Sequence, residues 1–302
     1  MPRYRGRFAP SPTGPLHFGS LVAAVGSFLE ARARGGAWLV RMEDLDPPRT
    51  APGAAEDILR TLQACGMTWD GEVVHQSARS DAYHSALHRL RDKGLVYPCA
   101  CSRREIADSA VAGVEGPIYP GTCRTGLPPG KAARALRINT RGAAVAFDDA
   151  LQGRIAHDLE KESGDFVLYR ADDVYAYQLA VVVDDAEQGI TDIVRGADLL
   201  GSTPRQLHLQ KLLGLPQPSY AHLPVAVNTA GEKLSKQTFA APVDAAKPLP
   251  ALAAALSFLG QQPPRELARG TVKEFWDWAL KNWKLERVPR VASAPVPEQI
   301  QG

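Results

Sequence analysis

Arg7-Phe8-Ala9-Pro10-Ser11-Pro12-Thr13-Gly14-Pro15-Leu16-His17-Phe18-Gly19-Ser20 decides how the rest of the sequence is read. A short strand with alternating apolar residues breaks in a Pro/Gly loop, and a helix from Leu21 to Arg34 follows, stopped by Gly35-Gly36. Strand, rigid turn and helix N-terminus in that order, near the start of an α/β chain, make a site for phosphate. Pro10, Pro12 and Pro15 fix φ, Gly14 and Gly19 let backbone come close to a ligand, and His17 adds a donor. An ordinary strand-to-helix turn needs none of these together.

Working outward, Ala37-Trp38-Leu39-Val40-Arg41-Met42-Glu43-Asp44 is an apolar run ending in acids. In an open parallel sheet, ligands sit beyond the carboxyl ends of the strands, so Glu43 and Asp44 should face the crevice of the opening loop. Asp46 is read instead as a cap for the helix beginning near Ala54, after a stiff Asp46-Pro47-Pro48-Arg49 loop. Ala54 to Gly66 has helical apolar spacing with Cys65 as a small core residue, and Ser80 is expected to cap a helix that ends at Gly94.

Residues 96 to about 170 lose the strand–helix alternation and become loops, short strands and hairpin signals. Strands are expected at Ala135–Ile138 and Ala144–Phe147, with a turn at Gln152-Gly153. This segment reads as an insertion between two halves of a nucleotide-binding sheet. It holds Cys99-Ala100-Cys101, then Tyr119 and Cys123. Two thiolates one residue apart can share a metal, and Cys123 could return from its Gly/Pro loop as a third ligand. Zinc prefers four ligands in a tetrahedron, which leaves Tyr119 or a water for the fourth position; three unrelated buried thiols are the plain alternative. Arg103, Arg104, Arg124, Lys131, Arg134 and Arg137 form a basic cluster, readable as a nucleic-acid patch or as a solvated face.

From Asp165 the α/β grammar returns. Phe166–Arg170 is strand-like, and Tyr175 to Val183 is a buried strand or helix ended by Asp184-Asp185. Ile190 to Val194 is another strand, placing Arg195 at its carboxyl end, and Thr203 caps a helix with Pro204 in first position. Glu232-Lys233-Leu234-Ser235-Lys236-Gln237 follows a turn; two lysines flanking a serine on a loop could clamp a polyphosphate. Beyond residue 240 the chain is Ala/Leu-rich and helical, with Phe275, Trp276, Ala279, Leu280 and Trp283 packing on the body and a loose tail from Arg290 to Gly302.

The 302 residues suffice for two domains with real cores, and a net charge of +2 confines any nucleic-acid contact to a local patch. No run approaches a membrane helix or a leader, and four cysteines do not form a secreted disulfide framework, so a cytoplasmic protein is expected. Nothing calls for an obligate protein partner.

The opening stretch and the Lys233-Leu234-Ser235-Lys236-Gln237 loop together resemble the HIGH and KMSKS signatures of class I aminoacyl-tRNA synthetases. With Arg41-Met42-Glu43-Asp44-Leu45-Asp46 and Val194-Arg195-Gly196-Ala197-Asp198-Leu199-Leu200, residues 5 to about 240 look like the glutamyl branch. Ser20 stands at the second histidine of the first signature, and Leu234 and Gln237 replace Met and Ser of the second. Only about 60 residues follow the loop, too few for anticodon-binding domains. That truncation, Asp44-Leu45-Asp46-Pro47-Pro48-Arg49 and the cysteine cluster resemble the glutamyl-queuosine tRNA(Asp) synthetase family.

The resemblance implies an α/β fold: a Rossmann-type parallel sheet with an inserted mixed α+β zinc-bearing region and a short helical C-terminal region. The divisions expected are 1–95 and 171–240 for the two catalytic halves, 96–170 for the insertion and 241–302 for the helical end. It implies activation of L-glutamate by ATP with Mg²⁺, without tRNA, and transfer to the queuosine base in the anticodon loop of tRNA(Asp). His17, Gly19, Ser20, Lys233, Ser235 and Lys236 are then expected at ATP, with His17 and Lys236 catalytic. Arg7, Ala9, Ser11, Glu43, Tyr177 and Arg195 are expected at glutamate: Glu43 on the ammonium, the arginines on carboxylate, Tyr177 adding a hydroxyl. One Zn²⁺ is expected on Cys99, Cys101, Tyr119 and Cys123. The competing readings are a discrete glutamyl-tRNA synthetase charging a tRNA 3′ end, a HIGH-type nucleotidyltransferase acting on a small molecule, and a non-enzymatic tRNA-binding paralogue.

Overall fold

The computed structural model describes residues 3–109, 111–113, 116–228, 231–234 and 241–296. Strand β1 (Arg5–Phe8) leads through the Pro/Gly loop into helix α1 (Phe18–Ala33) and back to β2 (Ala37–Met42), which pairs with β1 in parallel, Gly6 opposite Trp38. Helix α2 (Ala54–Ala64) connects β2 to the short parallel strand β3 (Val74–His75), and α3 (Ser80–Asp92) follows.

Next come β4 (Val96–Cys99), α4 (Arg103–Ser109), β5 (Val111–Gly113), β6 (Gly116–Ile118), β7 (Ala135–Ile138), β8 (Ala144–Asp149), β9 (Gly153–Asp158) and β10 (Val167–Tyr169). Antiparallel β4 and β10 flank β7, while β5–β6 and β8–β9 are hairpins. The second hairpin turns into β9 at Gly153, whose φ of +78° suits a residue without Cβ.

Helix α5 (Tyr177–Glu187) then feeds β11 (Asp192–Gly196), α6 (Thr203–Leu213), β12 (Ser219–Leu223) and β13 (Val225–Val227). Helices α7 (Pro248–Phe258) and α8 (Val272–Asn282) and strand β14 (Ser293–Pro295) complete the chain. β11 and β12 are parallel, and β8 extends them at Tyr220–Asp149. β1 and β11 start together, because the Thr191 N–H donates to the Arg5 carbonyl at 3.0 Å. Their carboxyl ends, Phe8 and Gly196, therefore open onto one crevice.

Helix α1 is the pivot of the core. It is apolar nearly all round, as a helix packed on several sides must be, and it touches β1, β11, α7 and α8. Phe28 sits edge-on to both Trp38 and Trp276. Each buried indole N–H finds an acceptor: Trp38 at Ser27 Oγ, Trp276 at the Cys65 carbonyl and Trp283 at Glu30 Oε2. Cys65 is buried here and burial pushes its thiol up to about 11, as befits a core residue. Among the described residues no helix is long and apolar enough to cross a membrane.

Several local expectations change. α1 starts a turn earlier than Leu21, because His17 itself caps it. Ser80 and Thr203 lie inside their helices, with Arg79 and Ser202 at the cap positions. Gly53, not Asp46, precedes α2; Asp46 instead accepts from Arg49 and Arg170. The apolar run becomes a helix from Tyr177 that continues through Asp184 and Asp185, since both acids are neutralised by arginines rather than left at an end. The expected loose tail contains β14, which pairs in parallel with β13.

Candidate active site

A cleft of ≈ 680 Å³ opens at the carboxyl ends of β1 and β11, lined by Arg7, His17, Glu43, Tyr177, Arg195 and Lys233 among others. Ala9, Ser11, Gly19 and Ser20 also line it, so every expected ATP and glutamate residue among the described ones meets here. Ser235 and Lys236 lie outside the described residues. A smaller lobe of ≈ 130 Å³ shares Ser11, Glu43 and Tyr177 with the cleft and runs to the Asp46–Arg170 ion pair.

The two arginines of the pocket differ in electrostatic state. Arg7 holds Asp185 through two hydrogen bonds, Nε to Oδ1 at 3.0 Å and Nη2 to Oδ2 at 3.2 Å. Arg41, fully buried, donates to the same Asp185 at 2.8 Å and approaches Glu43 at 3.5 Å. The neighbouring Asp184 accepts from Gln76, Arg79 and Tyr83. Burial opposes ionisation of Asp185, but Arg7 and Arg41 outweigh it and hold the carboxyl below its ordinary range. Glu43 goes the other way, because desolvation exceeds the pull of Arg41 and Arg7 and raises it.

Arg195 is buried with neutral partners. Its Nε donates to His222 Nε2 at 3.0 Å, and Nη2 donates to Thr203 Oγ1 at 2.8 Å and Gln206 Oε1 at 2.9 Å. Nη1 faces the Tyr177 hydroxyl at 3.5 Å. Among the described residues no carboxylate lies within ion-pair distance of Arg195, an expensive arrangement unless an anion arrives. Burial and the Glu43 charge push the Tyr177 phenol up to about 12, so it stays a neutral donor at ordinary pH.

At the other end, His17 Nδ1 accepts from the Ser20 N–H at 3.3 Å, which leaves its Nε2–H to bond Ser20 Oγ at 3.1 Å. A Cβ on Gly19 would stand 3.3 Å from the His17 ring and 3.4 Å from the Leu234 carbonyl, so glycine permits this crowding. Leu234 N–H bonds the Ala226 carbonyl, and Val243 N–H bonds Leu16. Both described flanks of residues 235–240 are thus tied to the cleft. Lys233 forms an ion pair with Asp198.

The cysteines converge away from the cleft. Sγ atoms of Cys99, Cys101 and Cys123 lie within 4.8 Å of one another. Cys101 and Cys123 sulfurs are 3.7 Å apart, and Tyr119 Oη stands 3.4 and 3.5 Å from Cys99 and Cys101. Tetrahedral zinc with bonds of about 2.3 Å to sulfur and 2.0 Å to oxygen requires edges of about 3.8 and 3.5 Å. The donor set fits zinc in chemistry, and the Cys101–Cys123, Cys99–Tyr119 and Cys101–Tyr119 edges match that geometry. Arg137 lies 4.1 Å over the Tyr119 ring. The basic cluster is less available than its sequence suggests, since Arg124 pairs with Asp165 and Glu160, and Lys131 with Glu105.

Sequence reading missed Arg41, Asp185, Asp149, His222, Thr203 and Gln206 around this cleft. Two acids inside an apolar helical run, and a histidine inside the apolar strand Ser219–Leu223, were the available signals.

Residues 3–248 match the family described as tRNA synthetases class I (E and Q), catalytic domain. The glutamyl-Q tRNA(Asp) synthetase of Aromatoleum aromaticum is 63% identical over 296 residues, 98% of this chain and 94% of that protein. Its counterpart from Dechloromonas aromatica is 61% identical, over 97% of this chain and 98% of that one. The solved glutamate-tRNA synthetase from Elizabethkingia anophelis has the same fold, with a TM-score of 0.80 at 24% identity over 98% of this chain and 68% of its own.

Proposed function

The chain belongs to the class I tRNA synthetases of the E and Q group and, within them, to the glutamyl-Q tRNA(Asp) synthetase family, and from that premise we propose how its cleft works. It is a synthetase-like ligase. The first step is attack of the glutamate α-carboxylate on the α-phosphate of ATP, giving glutamyl-AMP and pyrophosphate. The second is attack by a hydroxyl of the queuosine cyclopentene-diol of tRNA(Asp) on the activated carbonyl, releasing AMP.

The observation that carries this reading is Arg195, a buried cation among neutral partners beside Tyr177 in a cleft that also holds Glu43. An amino acid with a carboxylate side chain satisfies both poles: its side chain neutralises Arg195 and its ammonium meets Glu43. Glutamine would leave the Arg195 charge uncompensated. Arg7, already bridged to Asp185, adds a donor and a positive wall rather than a second open charge. Ala9 and Ser11 line the glutamate end.

ATP enters as its Mg²⁺ complex. His17, the Gly19 backbone and Ser20 receive phosphate at the N-terminus of α1, whose dipole favours negative charge there. Lys233, Ser235 and Lys236 meet the pyrophosphate, with Lys236 stabilising the charge that develops as it leaves. Alignment and charge neutralisation suffice, so no nucleophile–base pair is needed. Cys99, Cys101, Tyr119 and Cys123 would hold a zinc ion, which ties four points of the 96–170 insertion together without joining the reaction.

Purified protein incubated with labelled glutamate, ATP and tRNA from strains with and without queuosine tests the whole. Label should enter only the queuosine-containing tRNA, while ATP–pyrophosphate exchange proceeds without any tRNA. Equal labelling of both tRNAs would return the protein to 3′-end charging.

A further inference from the structure

Behind Arg195 stands a buried pair that the reaction as described does not use. His222 is fully buried on β12, and its Nδ1 is 2.6 Å from Asp149 Oδ2. Asp149 is fixed at the end of β8, in the segment between the two halves of the sheet. Its Oδ1 accepts the backbone N–H groups of Leu151, Gln152 and His222 at 3.0, 2.9 and 3.1 Å. A carboxylate held by three N–H donors stays ionised and does not rotate. It therefore accepts a hydrogen bond from Nδ1–H, which holds the ring's proton on Nδ1 and leaves Nε2 unprotonated, and an unprotonated Nε2 is what the Arg195 Nε–H requires at 3.0 Å. The Tyr220 ring lies parallel to the His222 ring, 5.9 Å between centroids.

We propose that Asp149 and His222 are positioning residues that set the selectivity for glutamate: Asp149 fixes the His222 tautomer, and His222 orients the Arg195 guanidinium so that Nη1 faces Tyr177 and the cleft. The relay rests on the reading of Arg195 as the partner of the substrate's side-chain carboxylate. It resembles the carboxylate–histidine pairing of hydrolytic triads in logic, except that the imidazole here accepts from a cation and moves no proton. It also gives the inserted segment a direct hand in amino-acid recognition through Asp149.

Asp149→Asn is the sharpest probe. The three N–H donors retain the amide oxygen at the Oδ1 position, which turns the NH₂ toward His222 Nδ1. The imidazole proton is then forced to Nε2, where it opposes the Arg195 N–H. His222→Leu removes the acceptor altogether, and His222→Gln offers an amide oxygen near the position of Nε2. Tested by ATP–pyrophosphate exchange, Asp149→Asn and His222→Leu should each raise the KM for glutamate about tenfold or more, the loss expected for a charged hydrogen bond. kcat and the KM for ATP should stay within about twofold, and the preference for glutamate over glutamine should narrow. His222→Gln should recover most of the affinity.

Folded Asp149→Asn with the parent KM for glutamate would overturn the relay. So would glutamate and ATP constants rising together with no recovery in His222→Gln, the pattern of a purely structural role. If His222→Leu does not fold, the near-isosteric Asp149→Asn decides alone. Arg195→Ala separates the premise from the relay. An unchanged glutamate KM there removes the premise and the relay with it, whereas a raised KM beside a silent Asp149→Asn rejects the relay only.

Discussion

Arg7 and Asp185 meet as a buried two-point ion pair across 178 residues of sequence, with Arg41 on the same carboxylate at 2.8 Å. The first strand and helix α5 are thus locked together directly beneath the cleft. Arg7 faces the cleft with a carboxylate partner, and Arg195 faces it with none among the described residues. Two arginines that read alike in sequence therefore have different work.

Removing that shared carboxylate should be severe. Asp185→Ala leaves the buried Arg7 guanidinium without its carboxylate and strips Arg41 of the shortest of its three, and should cost about 3–5 kcal/mol in urea unfolding. A loss under about 1 kcal/mol would mean that water or a rotated Asp184 replaces it.

The same pair predicts an acid limb. The folded carboxyl of Asp185 is depressed below its unfolded value of about 3.9, so its contribution is full above that pH and is lost as pH falls toward the lower folded value. Stability measured between pH 6 and 2 should fall less steeply in Asp185→Asn than in the parent. Identical slopes would remove Asp185 from the acid transition.

Glu43 has the opposite sign. Burial raises its carboxyl, so in the free enzyme it protonates at a higher pH than an ordinary glutamate, near 4.3. kcat/KM for glutamate should therefore fall in mildly acid solution on a limb above that value, and Glu43→Gln should lower affinity about tenfold or more while abolishing the limb. An unaltered pH profile in the variant would detach Glu43 from the ammonium.

Lys236→Ala should lose ATP–pyrophosphate exchange by about 100-fold or more while still binding glutamate in calorimetry, as expected for a group that acts on transition-state charge. Retained exchange would exclude the loop from the chemistry.

Elemental analysis of the purified protein should give about one zinc per chain, lost in Cys101→Ser, with a lower melting temperature for the stripped protein. Tyr119→Phe should weaken retention without changing the three sulfurs. Metal-free protein with the parent melting temperature would reject the site.

The residues that line the cleft were legible because their signals are local. Pro10, Pro12, Pro15 and Gly14 mark one turn, Glu43 directly follows an apolar strand, and Arg195 stands next to the last residue of another. The cluster of Cys99, Cys101, Tyr119 and Cys123 was legible for the same reason. What supports these groups was not, since Asp185 reaches Arg7, and Asp149 reaches His222, only after distant segments pack. Inside a helix or strand, a charged residue whose partner lies more than 70 positions away looks like an end or a surface; Asp184-Asp185 was read as the first and is neither.

Strand β14 closes the edge of β13, the strand that runs into the loop carrying Lys233. The backbone of that loop's anchor thus depends on a pairing whose two members are remote in sequence and whose ladder is only three residues long. Such a short contact between remote segments has high closure entropy and few bonds to resist opening. The consequence is a local opening unit: amide hydrogens of Val225–Val227 should exchange well before those of the adjoining Ser219–Leu223, so the end of the cleft lined by Lys233 and Leu234 can loosen and re-form while the end held by Arg7 and Asp185 remains shut.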